Sequence, residues 1–141
     1  MILSLSPNNF SEYELLDTGN YMKLERFGDY ITIRPEPQAV WQPSIKISEW
    51  EKRAHIQFIP KSSSSGDWKK LKTMPDRWHI GYKTSIGTTI KFRLALTSFK
   101  HVGIFPEQAV NWDYISNSIQ LLQTKSKPNE GTEIKFLNLF A

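Results

Sequence analysis

The segment Ser98–Phe105 carries the side chains best suited to binding chemistry, because it places a cation (Lys100), an imidazole (His101) and an aromatic ring (Phe105) close together. Pro106 follows at once and is predicted to open a helix, since proline is favoured at the first helical position. A helix N-terminus offers free N–H groups and the positive end of the helix dipole, so the segment suits an anionic or carboxylate-bearing ligand. The alternative is a strand-to-helix turn with incidental polar residues, and the residues alone favour neither interpretation.

The sequence contains no complete catalytic or metal-binding motif, since the GxGxxG, P-loop, HExxH and GxSxG patterns are all absent. It has no cysteine, which excludes disulfides, thiolate metal sites and a cysteine nucleophile within the chain. The histidines show no ligand spacing, so no metal is expected, and His55 and His79 are predicted to occupy ordinary surface or strand positions. Three acidic residues are expected on solvated strand faces: Glu12, Glu14 and Glu25.

Composition indicates a globular chain, with 39% hydrophobic and 23% charged residues over 141 positions. The aromatic share of 13% is high, and these rings are expected mainly in a core. No segment approaches the roughly 18 apolar residues of a membrane span, and the N-terminus lacks a signal-peptide pattern. The expectation is therefore a cytoplasmic protein with no membrane partner. The net charge of +4 is compatible with a polyanionic partner but is weak support for one.

Alternating hydrophobicity predicts a β-rich chain before residue 105. Tyr13–Arg34 has the pattern of a meander, with a two-residue hairpin turn at Gly28 and Asp29. Arg77–Lys83 and Thr88–Ser98 alternate at period two and are predicted to form an antiparallel hairpin. In the second of these strands, the side chains predicted to face a core are Ile90, Phe92, Leu94 and Leu96, whereas Lys91 and Arg93 are predicted to face away.

The C-terminal part is predicted to form a helix and then a buried strand. Apolar residues at helical spacing define one face of the helix: Trp112, Ile115, Ile119 and Leu122. Ile134–Phe140 is apolar on both faces, which is typical of a strand in a parallel sheet covered by helices. An uncovered edge of such a strand would allow pairing with a second copy of the chain, so a homo-oligomer is one expectation.

Two sequence runs resemble a known enzyme family. LALTSFKHVGIFPEQAVNWD (94–113) and KFLNLFA (135–141) resemble class I S-adenosylmethionine-dependent methyltransferases, similar to bacterial large-subunit ribosomal RNA cytosine methyltransferases. In the first run, the positions that match the family pattern are Lys100, Gly103, Phe105 and Gln108. ERFGDYITIRPEPQAVW (25–41) also resembles the N-terminal part of that family.

The resemblance implies an α+β fold, with an antiparallel β-rich module over residues 1–104 and the first helix and strand of a methyltransferase domain over 105–141. It implies the N-terminal fragment of a methyltransferase that acts on RNA. The fragment is expected to lack the cofactor loop, to bind no S-adenosylmethionine alone and to contain no catalytic residue. Seven residues are expected to line or lead to the cofactor site: Lys100, His101, Phe105, Gln108, Asn138, Phe140 and Ala141.

A different class of function remains open, namely a stand-alone nucleic-acid-binding β module without enzymatic activity. Trp41, Trp68 and Trp78 would then stack on bases. Under either hypothesis, the lysines predicted to contact RNA phosphates are Lys69, Lys70 and Lys72.

Overall fold

The computed structural model describes residues 6–7, 10–125, 134–135 and 137. A five-stranded sheet has the order β1 to β5, formed by β1 (Tyr13–Gly19), β2 (Met22–Phe27), β3 (Tyr30–Pro35), β4 (Ile56–Pro60) and β5 (Gly66–Lys70). A separate two-stranded sheet consists of β6 (Arg77–Lys83) and β7 (Thr89–Ala95). Helix α1 (Ile47–Arg53) lies between β3 and β4, and helix α2 (Ala109–Lys125) follows a 3-10 turn at Pro106–Gln108.

The N-terminal meander forms as predicted, and its second turn contains only Gly28 and Asp29. Gly28 has a φ of +62°, a value that glycine adopts without steric cost. The first turn follows Gly19, so Asp17 belongs to β1. Its carboxylate accepts hydrogen bonds from the backbone N–H groups of Ser44 and Ile45, at 3.2 and 2.7 Å, and from the indole of Trp50 at 3.1 Å. These long-range bonds hold Asp17 in the strand.

One strand pair departs from the predicted antiparallel module. β3 and β4 are parallel, with Thr32 opposite Ile56, whereas every other pairing in the described sheets is antiparallel. Parallel neighbours need a crossover connection, and the segment that contains α1 provides it. β5 was not predicted from the sequence.

Both faces of the larger sheet are covered. One face packs α1 through a core of Leu24, Ile33, Trp50 and Ala54. The opposite face packs the β6–β7 hairpin and the start of α2, and this second core includes Phe10, Phe27, Ile56, Trp78, Ile80, Tyr82, Leu94, Val102 and Ile104. This arrangement makes one sequence prediction wrong. Glu25 does not lie on a solvated strand face, because that face is covered and the residue is fully buried.

The β6–β7 hairpin confirms the predicted pattern of alternation. Leu94 is fully buried, and Ile90, Phe92 and Leu96 pack against the same core. Lys91 and Arg93 are exposed. The period-two pattern therefore identified the correct face of this strand.

Helix α2 starts as predicted, with Pro106 in its opening turn. Its packing is concentrated at the N-terminal end, where Trp112 contacts the rings of Phe10, Tyr82 and Phe92. Tyr82 also donates a hydrogen bond to Asp113 at 2.6 Å. Burial and this bond raise the pKa of Tyr82 to about 12, so the hydroxyl remains a donor at neutral pH.

The later part of α2 is more exposed, and Leu122 at the end of the predicted apolar face has 50% of its surface accessible. Most of the predicted strand Ile134–Phe140 lies outside the described residues, and Ile134, Lys135 and Leu137 are described outside any strand. Within the described chain, neither helix has the length and apolar character needed to cross a bilayer.

Candidate functional site

The segment 96–105, called the connecting loop below, joins β7 to the helical part of the chain and is fixed to both sheets. The indole of Trp68 in β5 donates to the carbonyl of Thr97 at 2.7 Å, and Gly66 N–H donates to the carbonyl of Ser98 at 2.9 Å. On the other side, Ala95 N–H donates to the carbonyl of Val102 at 3.0 Å. Val102 and Ile104 are buried in the core, so the polar residues between these points are held at defined positions.

A buried ion pair supports the middle of the connecting loop. Arg34 in β3 places Nη2 2.7 Å and Nε 2.8 Å from Oε2 of Glu25 in β2. The remaining guanidinium nitrogen, Nη1, donates to the backbone carbonyl of Lys100 at 3.0 Å. Arg34 thereby satisfies a buried carboxylate and holds the loop with one side chain.

Two further residues complete this polar network. Tyr13 donates from its hydroxyl to Glu25 Oε1 at 3.0 Å, and Lys23 lies 3.5 Å from the same oxygen. Burial, followed by the negative charge of Glu25, raises the pKa of the Tyr13 hydroxyl well above its usual value. Tyr13 is therefore protonated at all physiological pH values and acts as a permanent donor to the carboxylate.

His101 and Phe105 lie side by side, with ring centroids 4.9 Å apart. Burial and the nearby charges of Arg34, Lys100 and Lys23 lower the pKa of His101 below 6.5. The imidazole is consequently neutral at pH 7, in a surrounding field that is positive. Gln108 lies one turn further on, where its N–H bonds to the carbonyl of Phe105 at 3.0 Å and its side-chain oxygen accepts from Asn111 at 2.8 Å.

Of the four predicted residues on this segment, His101 and Phe105 are in ring contact, Lys100 precedes His101 in the connecting loop, and Gln108 lies in the 3-10 turn that follows. The other residues expected at the cofactor site, Asn138, Phe140 and Ala141, lie outside the described residues. Among the described residues, no group of three or more His, Asp or Glu side chains could hold a metal ion.

An open pocket of about 420 Å³ adjoins the first half of the connecting loop. The pocket is lined by Phe99, Lys100 and His101 of the connecting loop, together with prolines 35, 37 and 60, Phe58 and the serine turn (residues 62–65). The serines of this turn are mostly exposed. They adopt an ordered turn, in which the Ser62 and Ser65 hydroxyl oxygens are 2.8 Å apart.

The predicted RNA-binding lysines lie at the end of β5 and just after it. All three are exposed, but Lys70 pairs with Asp76 at 2.7 Å, and Lys72 donates to the carbonyl of Arg53 at 3.1 Å. Lys69 and Lys70 are adjacent in the strand, so their side chains leave opposite faces of the sheet.

The tryptophans proposed for base stacking do not form one surface. Trp78 is a core residue that is only 6% exposed, and its indole donates to the carbonyl of Phe27 at 3.2 Å. Trp68 is partly buried and bonded to the connecting loop, whereas Trp41 is 54% exposed. The part of the hypothesis that places Trp78 on a stacking surface is therefore wrong.

The residues that position the connecting loop were not predicted from the sequence. Arg34 and Glu25 lie in the run 25–41 that resembles the enzyme family, but nothing in their local pattern distinguishes a buried pair from two surface charges. Both residues precede the connecting loop by more than sixty positions, so only the fold relates them to Lys100.

No protein-family model matches the chain, and no curated protein matches it either. Among solved structures, the chain matches the crystal structure of a SAM-dependent methyltransferase from Agrobacterium tumefaciens. The match has a TM-score of 0.73 and 31% sequence identity, and it covers 88% of this chain and 36% of that enzyme. The chain is therefore similar, in fold and in sequence, to a part of a SAM-dependent methyltransferase that amounts to 36% of its length.

Proposed function

We propose that this chain forms the β-rich part of an S-adenosylmethionine-dependent methyltransferase that acts on RNA. The observation that supports this function best is the match to the Agrobacterium enzyme, because it combines 31% identity with a common fold over 88% of the chain. The RNA substrate rests on the resemblance of the runs 94–113 and 135–141 to ribosomal RNA methyltransferases. The lysines at the end of β5 would add affinity for the phosphate backbone.

The chemistry of the connecting loop fits the methionine side of the cofactor. S-adenosylmethionine supplies an electrophilic methyl group, and its methionine part carries a carboxylate. The Lys100 ammonium suits that carboxylate, and the neutral imidazole of His101 adds no competing charge. Phe105 is 49% exposed, so its ring is accessible to a ligand. Gln108 would contribute an amide, and Asn138, Phe140 and Ala141 would lead to the remainder of the site.

The network beneath the loop gives it the rigidity that such a site needs. Arg34 holds the Lys100 carbonyl, Glu25 holds the guanidinium of Arg34, and Tyr13 donates to the Glu25 carboxylate. Binding groups that are positioned before the ligand arrives lose less conformational entropy when it binds. The role of this network is to orient the loop backbone.

A chimera tests the proposed function directly. In it, this chain replaces the segment that it matches in the Agrobacterium enzyme, and transfer of tritium from methyl-labelled S-adenosylmethionine to total bacterial RNA is measured. We expect incorporation into RNA that is lost in a Lys100→Gln, His101→Ala double variant and retained in Lys91→Gln, an exposed change on β7. Transfer to protein but not to RNA would contradict the substrate. A folded chimera without any transfer would contradict the methyltransferase function.

A further inference from the structure

The residues that line the pocket between the connecting loop and the serine turn are of two chemical kinds. Phe58, Phe99 and three prolines are apolar, whereas the serine turn, Lys100 and His101 are polar. The volume of about 420 Å³ lies in the range of small-molecule sites, which runs from about 300 to 1,000 Å³. A ligand that matches this lining needs a flat apolar face, polar edges and a negative charge.

The two phenylalanines that line the pocket differ in exposure. Phe58 is 3% exposed and packs edge-on against Trp68, so its position is fixed. Phe99 is 55% exposed, although its neighbours in the loop are bonded to both sheets. An exposed phenyl ring on a rigid backbone offers a stacking face at low entropic cost.

The polar residues of the lining favour an anion. Within the described part of the chain, no ion pair involves Lys100, whereas Lys23, Lys61 and Lys70 all have carboxylate partners. Burial, followed by the positive charges of Arg34, Lys100 and Lys23, lowers the pKa of His101, so this part of the lining lies close to three cations. A phosphate beside Lys100 would be attracted to these charges.

The serine turn is ordered and retains free hydrogen-bonding capacity. Lys61 and Ser62 both donate their backbone N–H groups to the Ser65 carbonyl, at 2.9 and 3.0 Å. The Ser62 hydroxyl lies 3.1 Å from the Ser65 N–H, which fixes the turn. The Ser62 and Ser65 hydroxyls bond to each other, whereas the hydroxyls of Ser63 and Ser64 can each donate and accept, so the turn suits the mixed edge of a nucleobase.

We infer that this pocket binds one unpaired nucleotide of an RNA strand, with the base stacked on Phe99 and a phosphate paired with Lys100. The inference rests on the proposed function, because it names how the acceptor RNA is held. Single-stranded RNA is commonly bound by splaying out a base onto an aromatic side chain. Lys100 would then lie at the junction between the nucleotide pocket and the cofactor side, where His101 contacts Phe105.

Binding of two labelled probes to the full chain tests this assignment by fluorescence anisotropy. One probe is fluorescein-labelled hexaadenylate RNA, and the other is the same ribose-phosphate hexamer without bases. Phe99→Leu should weaken hexaadenylate binding about fivefold or more, because loss of one base–aromatic stacking contact lowers affinity by at least that factor. The same variant should bind the abasic probe as tightly as the parent does. Lys100→Gln should weaken the binding of both probes. It should also reduce the slope of log K against log salt by about the amount expected for one phosphate contact.

Two matched variants serve as controls, because Tyr114→Leu removes an exposed ring from α2 and Lys91→Gln removes an exposed cation from β7. Equal effects of Phe99→Leu and Tyr114→Leu, or absence of hexaadenylate binding at low salt, would overturn the inference. Binding of an acidic aromatic peptide in place of RNA would overturn it in favour of a protein ligand. Methyl transfer to RNA by the chimera, together with normal hexaadenylate binding by Phe99→Leu, would refute the pocket and leave the proposed function intact.

Discussion

Arg34 and Glu25 form a buried ion pair between neighbouring strands, and the same arginine donates to the carbonyl of Lys100. The side chains of the pair are 4% and 1% exposed. Burying two charges is costly, so such a pair contributes mainly when every group in it is satisfied. Here the guanidinium connects the centre of the larger sheet to the loop that carries the candidate site.

Removing one member of this pair should be strongly destabilising. Arg34→Met leaves the Glu25 carboxylate buried without its main counterion, and the free energy of unfolding should fall by about 3–5 kcal/mol in urea denaturation. The Glu25→Leu, Arg34→Met double variant should recover much of that loss, because no buried charge remains. Asp67→Asn breaks an exposed pair with Lys61 and should change stability little. An Arg34→Met variant as stable as the parent would contradict the network.

Stability should decrease when the pH falls below about 6.5, the ordinary pKa of histidine. His55 accepts a hydrogen bond at Nδ1 from the N–H of Ile31 at 3.0 Å. Burial, followed by the charge of Lys72, lowers its pKa. The unfolded chain therefore takes up the proton first, and stability present above pH 6.5 is lost as the pH falls through the folded pKa.

Thermal unfolding between pH 8 and pH 5 measures this effect. His55→Gln keeps an acceptor but cannot titrate, so its midpoint should vary less with pH than that of the parent. A residual slope is expected from His101, whose pKa is also lowered. His79→Gln removes an exposed imidazole from β6 and should retain the parental profile. Parallel profiles for His55→Gln and the parent would exclude His55 as the source.

Tyr82 should hold the start of α2 against the β6–β7 hairpin. Tyr82→Phe removes the bond to Asp113, and a hydrogen bond to a charged group contributes about 1.5–3 kcal/mol. Amide hydrogen exchange should accelerate near residue 113 at pH 7, because Asp113 then keeps only its bond from the N–H of Ser85 to the end of β6. Tyr114→Phe removes a hydroxyl from a side chain that is 73% exposed and should change neither quantity. Unchanged exchange in Tyr82→Phe would show that α2 is held by apolar contacts.

Gly66 should tolerate no side chain. A Cβ atom there would lie 2.3 Å from the carbonyl oxygen of Ile59 and 2.7 Å from the ring of Phe58. Gly66→Ala should therefore lower the free energy of unfolding by about 1–3 kcal/mol, as overpacking usually does. Ser63→Ala, in the adjacent exposed turn, should remain within about 0.5 kcal/mol of the parent. Equal stability of the two variants in urea denaturation would mean that β4 and β5 can move apart to accommodate the added Cβ atom without a loss of folding free energy.

The lysines near the end of β5 should account for part of the salt dependence of RNA binding. A triple Lys→Gln variant at 69, 70 and 72 should reduce the slope of log K against log salt by about 2, since each contact with a single strand contributes about 0.7. The control removes the same charge at three other exposed positions: Lys46, Lys52 and Lys91. Equal slopes for the two triple variants in fluorescence anisotropy would show that only net charge matters.

Local pattern was sufficient to predict most of the strands. The period-two alternation in β6 and β7, the glycine turn at Gly28 and the proline at the start of the helical part are short-range signals, and each corresponds to an element in the structure. The runs 94–113 and 25–41 resemble methyltransferases, and the match to a SAM-dependent methyltransferase supports the same class of enzyme.

Tertiary packing determined two features that the alternation of polar and apolar residues could not predict. Glu25 alternates with Leu24 as a solvated residue would, yet it is buried because the β6–β7 hairpin and the connecting loop cover that face. The parallel pairing of β3 and β4 depends on α1, whose position relative to the sheet is not encoded in the strands themselves. No short-range period can report whether a second layer will cover a sheet.

The candidate site divides in the same way. Lys100, His101, Phe105 and Gln108 are close in sequence, so they could be proposed together as one candidate segment, and the family resemblance implied their role at a cofactor site. Its support by Arg34, 66 positions away, and the pocket formed with the serine turn depend on contacts between distant segments. The amino-acid sequence is enough to specify which side chains the connecting loop carries. The bond from Arg34 to the loop and the pocket formed with the serine turn depend on the tertiary structure, because these contacts form only when the two sheets pack together.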